Sequence, residues 1–350
     1  MTALGPTEIR RAYFTCPACS EGGYPLDDRL GVAGSLSRQA RRVVCWVGGR
    51  MAFAQAAEAL DQLCGFSLSD EAIRRACHAE APAIAAWHET AEAVAAAFRR
   101  ADGLPEFQTD ATKVNTATGW RDVKIGIFAV RPPGEPATAA EWDDRALPSP
   151  AARVAFAAVE TSEVFGARWS PWAARLGIDD PAELSVLADG AEWIWDQVAM
   201  HFPGAAEVLD IYHAGEHLAD ASKALFGEGT EAAQAWFEAS RSRLLSDGWW
   251  GLCERIGEVL ADDLSAPTQA AMDGLTTYFS KHHARLNYAR RLHAGQSIGS
   301  GMVEGAAKNL IGKRLKQTAA RWSVDNVPRI AQICCLTYSD GWAAYWDEAA

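Results

Sequence analysis

Residues 107–130 read FQTDATKVNTATGWRDVKIGIFAV. FQTDATKV (107–114) is strand-like, TATGW makes a turn, and RDVKIGIFAV (121–130) alternates as a second strand. The next eighty residues keep this texture. Residues 132–150 form a Pro- and acid-rich loop, ARVAFAAVET (152–161) predicts a third strand, and residues 163–178 a short helix ending at Gly177. ELSVLADG (183–190) predicts a fourth, buried strand that closes in Asp189-Gly190. AEWIWDQVAMHF is then a helix, and AEVLDIY (206–212) a fifth strand entered from Pro203-Gly204. The order βββαβαβα combines meander hairpins with crossover units. It predicts an α/β fold, a mixed five-stranded sheet with helices on its faces.

The flanks read as helix. In MAFAQAAEALDQLCG (51–65), Phe53, Ala56, Ala57, Leu60, Leu63 and Cys64 recur at i, i+3, i+4, i+7 spacing, and Gly65 stops the helix. After the turn FSLS, Ser69 is a plausible N-cap for DEAIRRACHAEA. Two helices across a short turn suit a helix-turn-helix, with Arg74 and Arg75 as candidate DNA contacts; an ordinary helical hairpin is the alternative. Residues 216–295 are helical, with breaks near Gly227–Gly229, Asp247-Gly248 and Asp262–Pro267. Trp249 and Trp250 in that block read as core before they read as base-stacking groups. Cys64, Cys77 and Cys253 read as small core hydrophobes.

The stretch SIGSGMVEGAAKNLIGKRLKQTAARWS (297–323) opens on a Gly-rich turn and runs on as a basic helix. It holds one acid, Glu304, among Lys308, Lys313, Arg314, Lys316 and Arg321. The net charge of the chain is −12, which by itself argues against a polyanionic partner. The distribution argues otherwise: residues 281–322 carry nine Lys/Arg against one acid, and residues 1–50 seven against four. Exposed charge acts over about one Debye length, ~8–10 Å, so a basic region of an acidic protein still binds a polyanion locally. No apolar run reaches the ~18 residues of a membrane span, and MTALGPTEIRRAYF is neither a secretory nor a transit peptide. A cytoplasmic protein without a membrane partner is the expectation.

Asp110 lies in the first strand and Asp189 closes the fourth. In a sheet of this order those strands are neighbours, so both carboxylates emerge together, and Glu304 joins them if its helix lies beside the first strand. Such a cluster repels itself unless cations neutralise it. Oxygen-only ligation suits Mg²⁺ or Mn²⁺, and two such ions can activate an attacking oxygen and stabilise a leaving one at a phosphodiester. Cys16 and Cys19 in Cys-Pro-Ala-Cys have the spacing of half a tetrahedral zinc site.

TDATKV, VLADGAEWIW, LDIYHAGEHL and GSGMVEGAAKNLIGKRLKQTAARW, in this order and spacing, resemble the Kra-type bacterial insertion-sequence transposases. These belong to the wider Mutator-like DDE group with a ribonuclease-H-like core. RRAYFTCPACSEGGYPLDDRLGV is similar to that family's knuckle segment. The resemblance implies a metal triad of Asp110, Asp189 and Glu304 holding two Mg²⁺ or Mn²⁺ ions. It also implies an Asp-x-x-His element, Asp210 and His213, with His213 near the active site. It further implies a second Cys pair before RRAYF, which this sequence lacks, so a partial ribbon with structural Zn²⁺ at most is expected. The implied layout is a knuckle at 1–30, a helical DNA-binding region at 31–104, ribonuclease-H-like core at 105–215, an all-helical insertion at 216–296 and the rest of the core at 297–350. The implied activity is two-metal hydrolysis at transposon ends, then strand transfer into target DNA. Lys308, Lys313, Arg314, Lys316 and Arg321 would grip phosphates, and the protein would act as a homodimer or higher assembly on nucleoid DNA. A ribonuclease-H-like nuclease and an inactive, domesticated DNA-binding descendant are the rival expectations.

Overall fold

A computed structural model describes residues 1–65, 67–260 and 264–348. A small hairpin, β1 (Phe14–Thr15) and β2 (Gly22–Gly23), precedes α1 (Pro25–Leu30). Four helices come next: α2 (Arg38–Gly48), α3 (Phe53–Cys64), α4 (Asp70–Thr90) and α5 (Glu92–Arg100). Ser69 caps α4 as the sequence predicts, its hydroxyl accepting from Ala72 N–H at 3.2 Å. Phe66, in the predicted turn before it, lies outside the described residues, as do 261–263 within the predicted break at Asp262–Pro267.

The sheet has the order β5-β4-β3-β6-β7, from β3 (Leu104–Thr116), β4 (Gly119–Arg131), β5 (Ala152–Ala158), β6 (Ser185–Ala188) and β7 (Ala206–Leu209). β3, β4 and β5 form an antiparallel meander; β6 runs parallel to β3, and β7 parallel to β6. This is the mixed five-stranded sheet that the strand order predicts. β7 is shorter than AEVLDIY: Asp210 turns the chain and its side chain caps the next helix, so Ile211 and Tyr212 are helical.

Side chains alternate across the sheet with period two. Ile125, Ile127, Ala155 and Ala157 face a core shared with α2 and α4 and with α15 (Asn326–Tyr338) and α16 (Trp342–Glu348). Phe107, Phe128, Val154 and Phe156 face α6 (Ser162–Gly166), α7 (Trp169–Arg175) and α8 (Glu192–His201). Phe107 anchors that side, 4.5 Å from the Phe128 ring and 4.8 Å from Trp169. A third core gathers Leu187, Val208 and Leu209 with α9 (Ile211–Phe226), α10 (Glu231–Leu260), α11 (Ala266–Lys281) and α12 (Tyr288–His293). α10 bends at Gly248, at φ +60°, where a Cβ would come within 2.8 Å of the Leu286 carbonyl oxygen.

The stretch 297–323 is less regular than the sequence suggests. It runs as α13 (Gly301–Ala306), a π-helical turn (Ala307–Gly312) and α14 (Lys313–Leu315), and the helix stops there. The chain then lies along the far end of β3, with Trp322 N–H donating to Asn115 O at 3.1 Å and Ala117 N–H to Trp322 O at 2.7 Å. Two cysteine expectations also change. Cys77 is buried, Cys253 only partly, and Cys64 is exposed, on the last turn of α3 beside the equally exposed Leu63.

His88, near the end of α4, is buried with Nε2 unpartnered, and burial, aided by the charge of Arg175, pushes its pKa down to about 4. The fold therefore favours the neutral ring. Its contribution is intact above the unfolded value near 6.5 and is lost as pH falls toward 4, amounting to about 2 kcal/mol by pH 5. Urea unfolding of wild type and His88→Phe at pH 7 and pH 5 checks this: the acid-induced loss should be smaller in the variant by about that amount. Equal losses in both proteins would contradict it.

Candidate active site

β3 and β6 pair in parallel only over Glu106–Gln108 and Ser185–Leu187. Asp110 and Asp189 each lie two residues beyond those runs, Asp110 still within β3 and paired with Ile125 of β4, Asp189 just past the end of β6, so the two positions are neighbours across the sheet. Each side chain is set by its own backbone. Ala111 N–H donates to Asp110 Oδ1 at 2.6 Å, and Ala191 N–H, entering α8, donates to Asp189 Oδ1 at 2.9 Å. Trp195 Nε1–H fixes the turn by donating to Asp189 O at 2.8 Å.

Glu304 sits in the first turn of α13, which is held against β3 and against Asp210 at the end of β7. Gln108, fully buried on β3, accepts from Val303 N–H at 3.1 Å. Asp210, 0 % exposed, accepts from the Ser300 hydroxyl at 2.8 Å, from the Ser300 N–H, and through Oδ1 from His213 N–H at 2.7 Å. Ile211 N–H donates to Ile298 O at 3.1 Å. These bonds bring Glu304 close enough to Asp110 for its charge to act on that carboxyl, as the charge of Asp189 does. Burial, then the charges of Asp189 and Glu304, push the Asp110 carboxyl up to about 6.

The donor set is all oxygen, and burial, joined by the charges of Asp189 and Glu304, opposes the ionisation of Asp110. In chemistry, Asp110, Asp189 and Glu304 therefore fit Mg²⁺ or Mn²⁺. Their spacing is open: among the described residues no three His, Cys, Asp or Glu side chains are drawn together tightly enough to enclose an ion. The knuckle fits a metal less well. Backbone N–H groups of Cys19 and Ala18 lower the Cys16 thiol pKa, which suits a thiolate ligand, but Cys16 and Cys19 are two exposed ligands where a tetrahedral zinc site takes four.

His213 lies on the first turn of α9, its Nδ1 3.2 Å from the Glu216 carboxylate, and it is among the charges acting on Asp110. Two neighbours escaped the sequence reading. His217 stacks on Tyr278 of α11 at 3.7 Å between centroids. The Tyr278 hydroxyl is buried without a partner, and a Cβ on Gly190 would come within 2.4 Å of it. The helical segment thus presses directly on the Asp189-Gly190 turn. The i, i+4 spacing of His213 and His217 was a visible signal; Tyr278 had none.

Of the basic candidates, Lys308, Lys313, Lys316 and Arg321 are exposed. Lys308 reaches Glu304 at 3.6 Å, Lys316 donates to the Thr112 hydroxyl, and Arg321 to Ala117 O at 3.0 Å. Arg314 departs from the expectation that it grips phosphate. It is 3 % exposed, donates to Gly48 O at 2.7 Å, and lies over the rings of Phe53 and Trp322. Arg74 is held by both carboxylate oxygens of Glu71, which offsets its charge, while Arg75 is freer. Trp250 is 77 % exposed, contrary to the core reading, whereas Trp249 packs on the third core.

Compared with known proteins, no family model matches the chain, and no curated protein matches it. Among the described residues no helix is long and apolar enough to cross a membrane.

The site geometry makes Asp210 structural. Asp210→Ala removes a helix cap and strands the buried Ser300 donors, a loss of about 2–4 kcal/mol. Exposed Asp220, paired with Lys223 at 3.0 Å, should lose no more than about 0.5 kcal/mol on the same change. Chemical denaturation of the two variants compares them, and equal losses would contradict the assignment.

Proposed function

We propose that this protein is a DDE-type DNA transposase built on a ribonuclease-H-like core, similar to the Kra-type insertion-sequence enzymes. One observation carries the reading. Two carboxylates stand on the neighbouring parallel strands β3 and β6, one within β3 and one just past the end of β6, a third opens a helix tied to β3 and to Asp210, and burial with the charges of the other two opposes the ionisation of Asp110. The sheet order β5-β4-β3-β6-β7, the motifs around all three acids and the basic segment behind Glu304 support it.

When bound, two Mg²⁺ or Mn²⁺ ions would neutralise the carboxylates and supply Lewis-acid activation of the attacking and leaving oxygens of a phosphodiester. Asp110, Asp189 and Glu304 would hold them through oxygen alone. Gln108 and Asp210 keep the Glu304 helix against β3. Lys308, Lys313, Lys316 and Arg321 contact backbone phosphates and set position and affinity rather than sequence choice. His213, beside the acids, is suited to hydrogen-bond a phosphate oxygen. The substrates are transposon-end and target DNA, and joining two ends calls for at least two copies of the chain.

A strand-transfer assay tests this. Protein, Mn²⁺, DNA carrying the repeats that flank its own gene, and a target plasmid should give joined products that fall at least ~100-fold in Glu304→Ala. Cleavage without joining would replace the transposase with a nuclease. DNA binding with neither reaction would leave a non-enzymatic descendant.

A further inference from the structure

The helix that carries Glu304 has a second face. Gly301, Gly305 and Asn309 floor a cavity of about 510 Å³ that begins at Tyr212 and Gly299. It meets a second cavity of about 470 Å³, and the two share Arg153, Asn309 and Tyr338. Cations dominate the walls. Arg145 and Arg153 stand in the first part and Arg50 and Lys313 in the second, against Asp143 and Asp340. For a chain of net charge −12 this is a marked local reversal. Arg50 and Lys313 are exposed. Arg145 and Arg153 each spend one donor on a backbone oxygen, Gln296 O at 2.9 Å and Tyr338 O at 2.8 Å, and Arg153 also faces the exposed Asp340 carboxylate at 3.9 Å.

Aromatic rings stand at both parts of this groove. Tyr212, 57 % exposed, leans over Gly299, where a Cβ would lie 3.1 Å from its ring. Tyr338 lies under the Arg153 guanidinium, 4.2 Å from centroid to Cζ. The glycines of the floor are unexplained by packing, since a Cβ at Gly301 or Gly305 would stand in open space. A side chain there would instead fill the groove. A basic channel with a bare backbone floor and aromatic platforms is how proteins hold a single nucleic-acid strand, through phosphates and base stacking. The cavity volumes are those of small-ligand sites, too small to receive a duplex in cross-section.

From this we infer that the groove along the glycine face of the Glu304 helix is a binding path for one single-stranded segment of DNA. The inference deepens the reading of the neighbouring acids as a DNA-processing site. The strand would run from Tyr212, beside those acids, past Arg153 to Lys313 and Arg50.

Fluorescence anisotropy with a labelled oligothymidylate, and with a duplex of equal length, tests it in the full-length protein without metal. Wild type should bind the single strand at least tenfold more tightly than the duplex, with affinity falling steeply with salt. The paired change Arg50→Glu with Lys313→Glu should weaken single-strand binding at least tenfold. Gly305→Leu, which keeps every charge and favours helix, should do the same, with Tm in both variants within a few degrees of wild type. Equal affinity for duplex and single strand, or unchanged binding in the folded Gly305→Leu protein, would overturn the groove. Single-strand binding that survives in a protein without strand transfer would keep the groove and sink only the transposase reading; strand transfer without single-strand binding would do the reverse.

Discussion

The Asp210 carboxylate takes hydrogen bonds from two segments far apart in sequence: His213 N–H at the start of α9, and the N–H and hydroxyl of Ser300 before α13. A fully buried carboxylate is tolerated only when its oxygens are so occupied. That requirement fixes where β7 stops, where α9 starts and how the returning chain approaches the sheet. Glu304 lies four residues beyond Ser300, and its position is a consequence. Gln108 supplies the second constraint by reaching from β3 to Val303 N–H.

A second buried polar group holds the same returning chain one turn earlier. Arg291 donates to Ser297 O at 2.7 Å and to the Ser185 hydroxyl at 3.2 Å. The Ser297 hydroxyl donates to Glu106, which also takes Arg131 at 3.2 Å. Removing one member of such a network strands the others, so it defines a single arrangement more than it adds net stability. The helical block between α9 and α12 is thereby tied to the sheet at both ends, and Tyr278 touches the Asp189 turn from within it. The charge layout obeys the same logic: acids gather within β3, past the end of β6 and in the first turn of α13, and exposed cations line that helix and the segment that follows it.

Much of this was legible in the sequence. The five strands, the break at Gly248 and the adjacency of Asp110 and Asp189 come from periodicity, glycine placement and strand order. The failures share a cause, which is that long-range partners decide them. Arg314 looks like its basic neighbours, yet Gly48 O and two aromatic rings from distant elements claim it. Trp250 looks like core beside Trp249, but the Gly248 bend turns it outward, 77 % exposed. Asp210 could be matched to a motif, whereas its bond to Ser300 spans too much chain for any local pattern to reveal. Tyr278 carries no spacing signal at all, because its importance lies in the empty Cα of Gly190.

The central claim is that Asp110, Asp189 and Glu304 form one divalent-cation site, and a Mn²⁺ titration followed by thermal unfolding tests it most directly. A cation bound by the folded carboxylates should raise Tm with Mn²⁺ concentration as RT ln(1 + [L]/Kd). The triple change Asp110→Ala, Asp189→Ala, Glu304→Ala should leave Tm flat across the titration. A wild-type protein insensitive to millimolar Mn²⁺, or a shift that survives in the triple variant, would contradict the account.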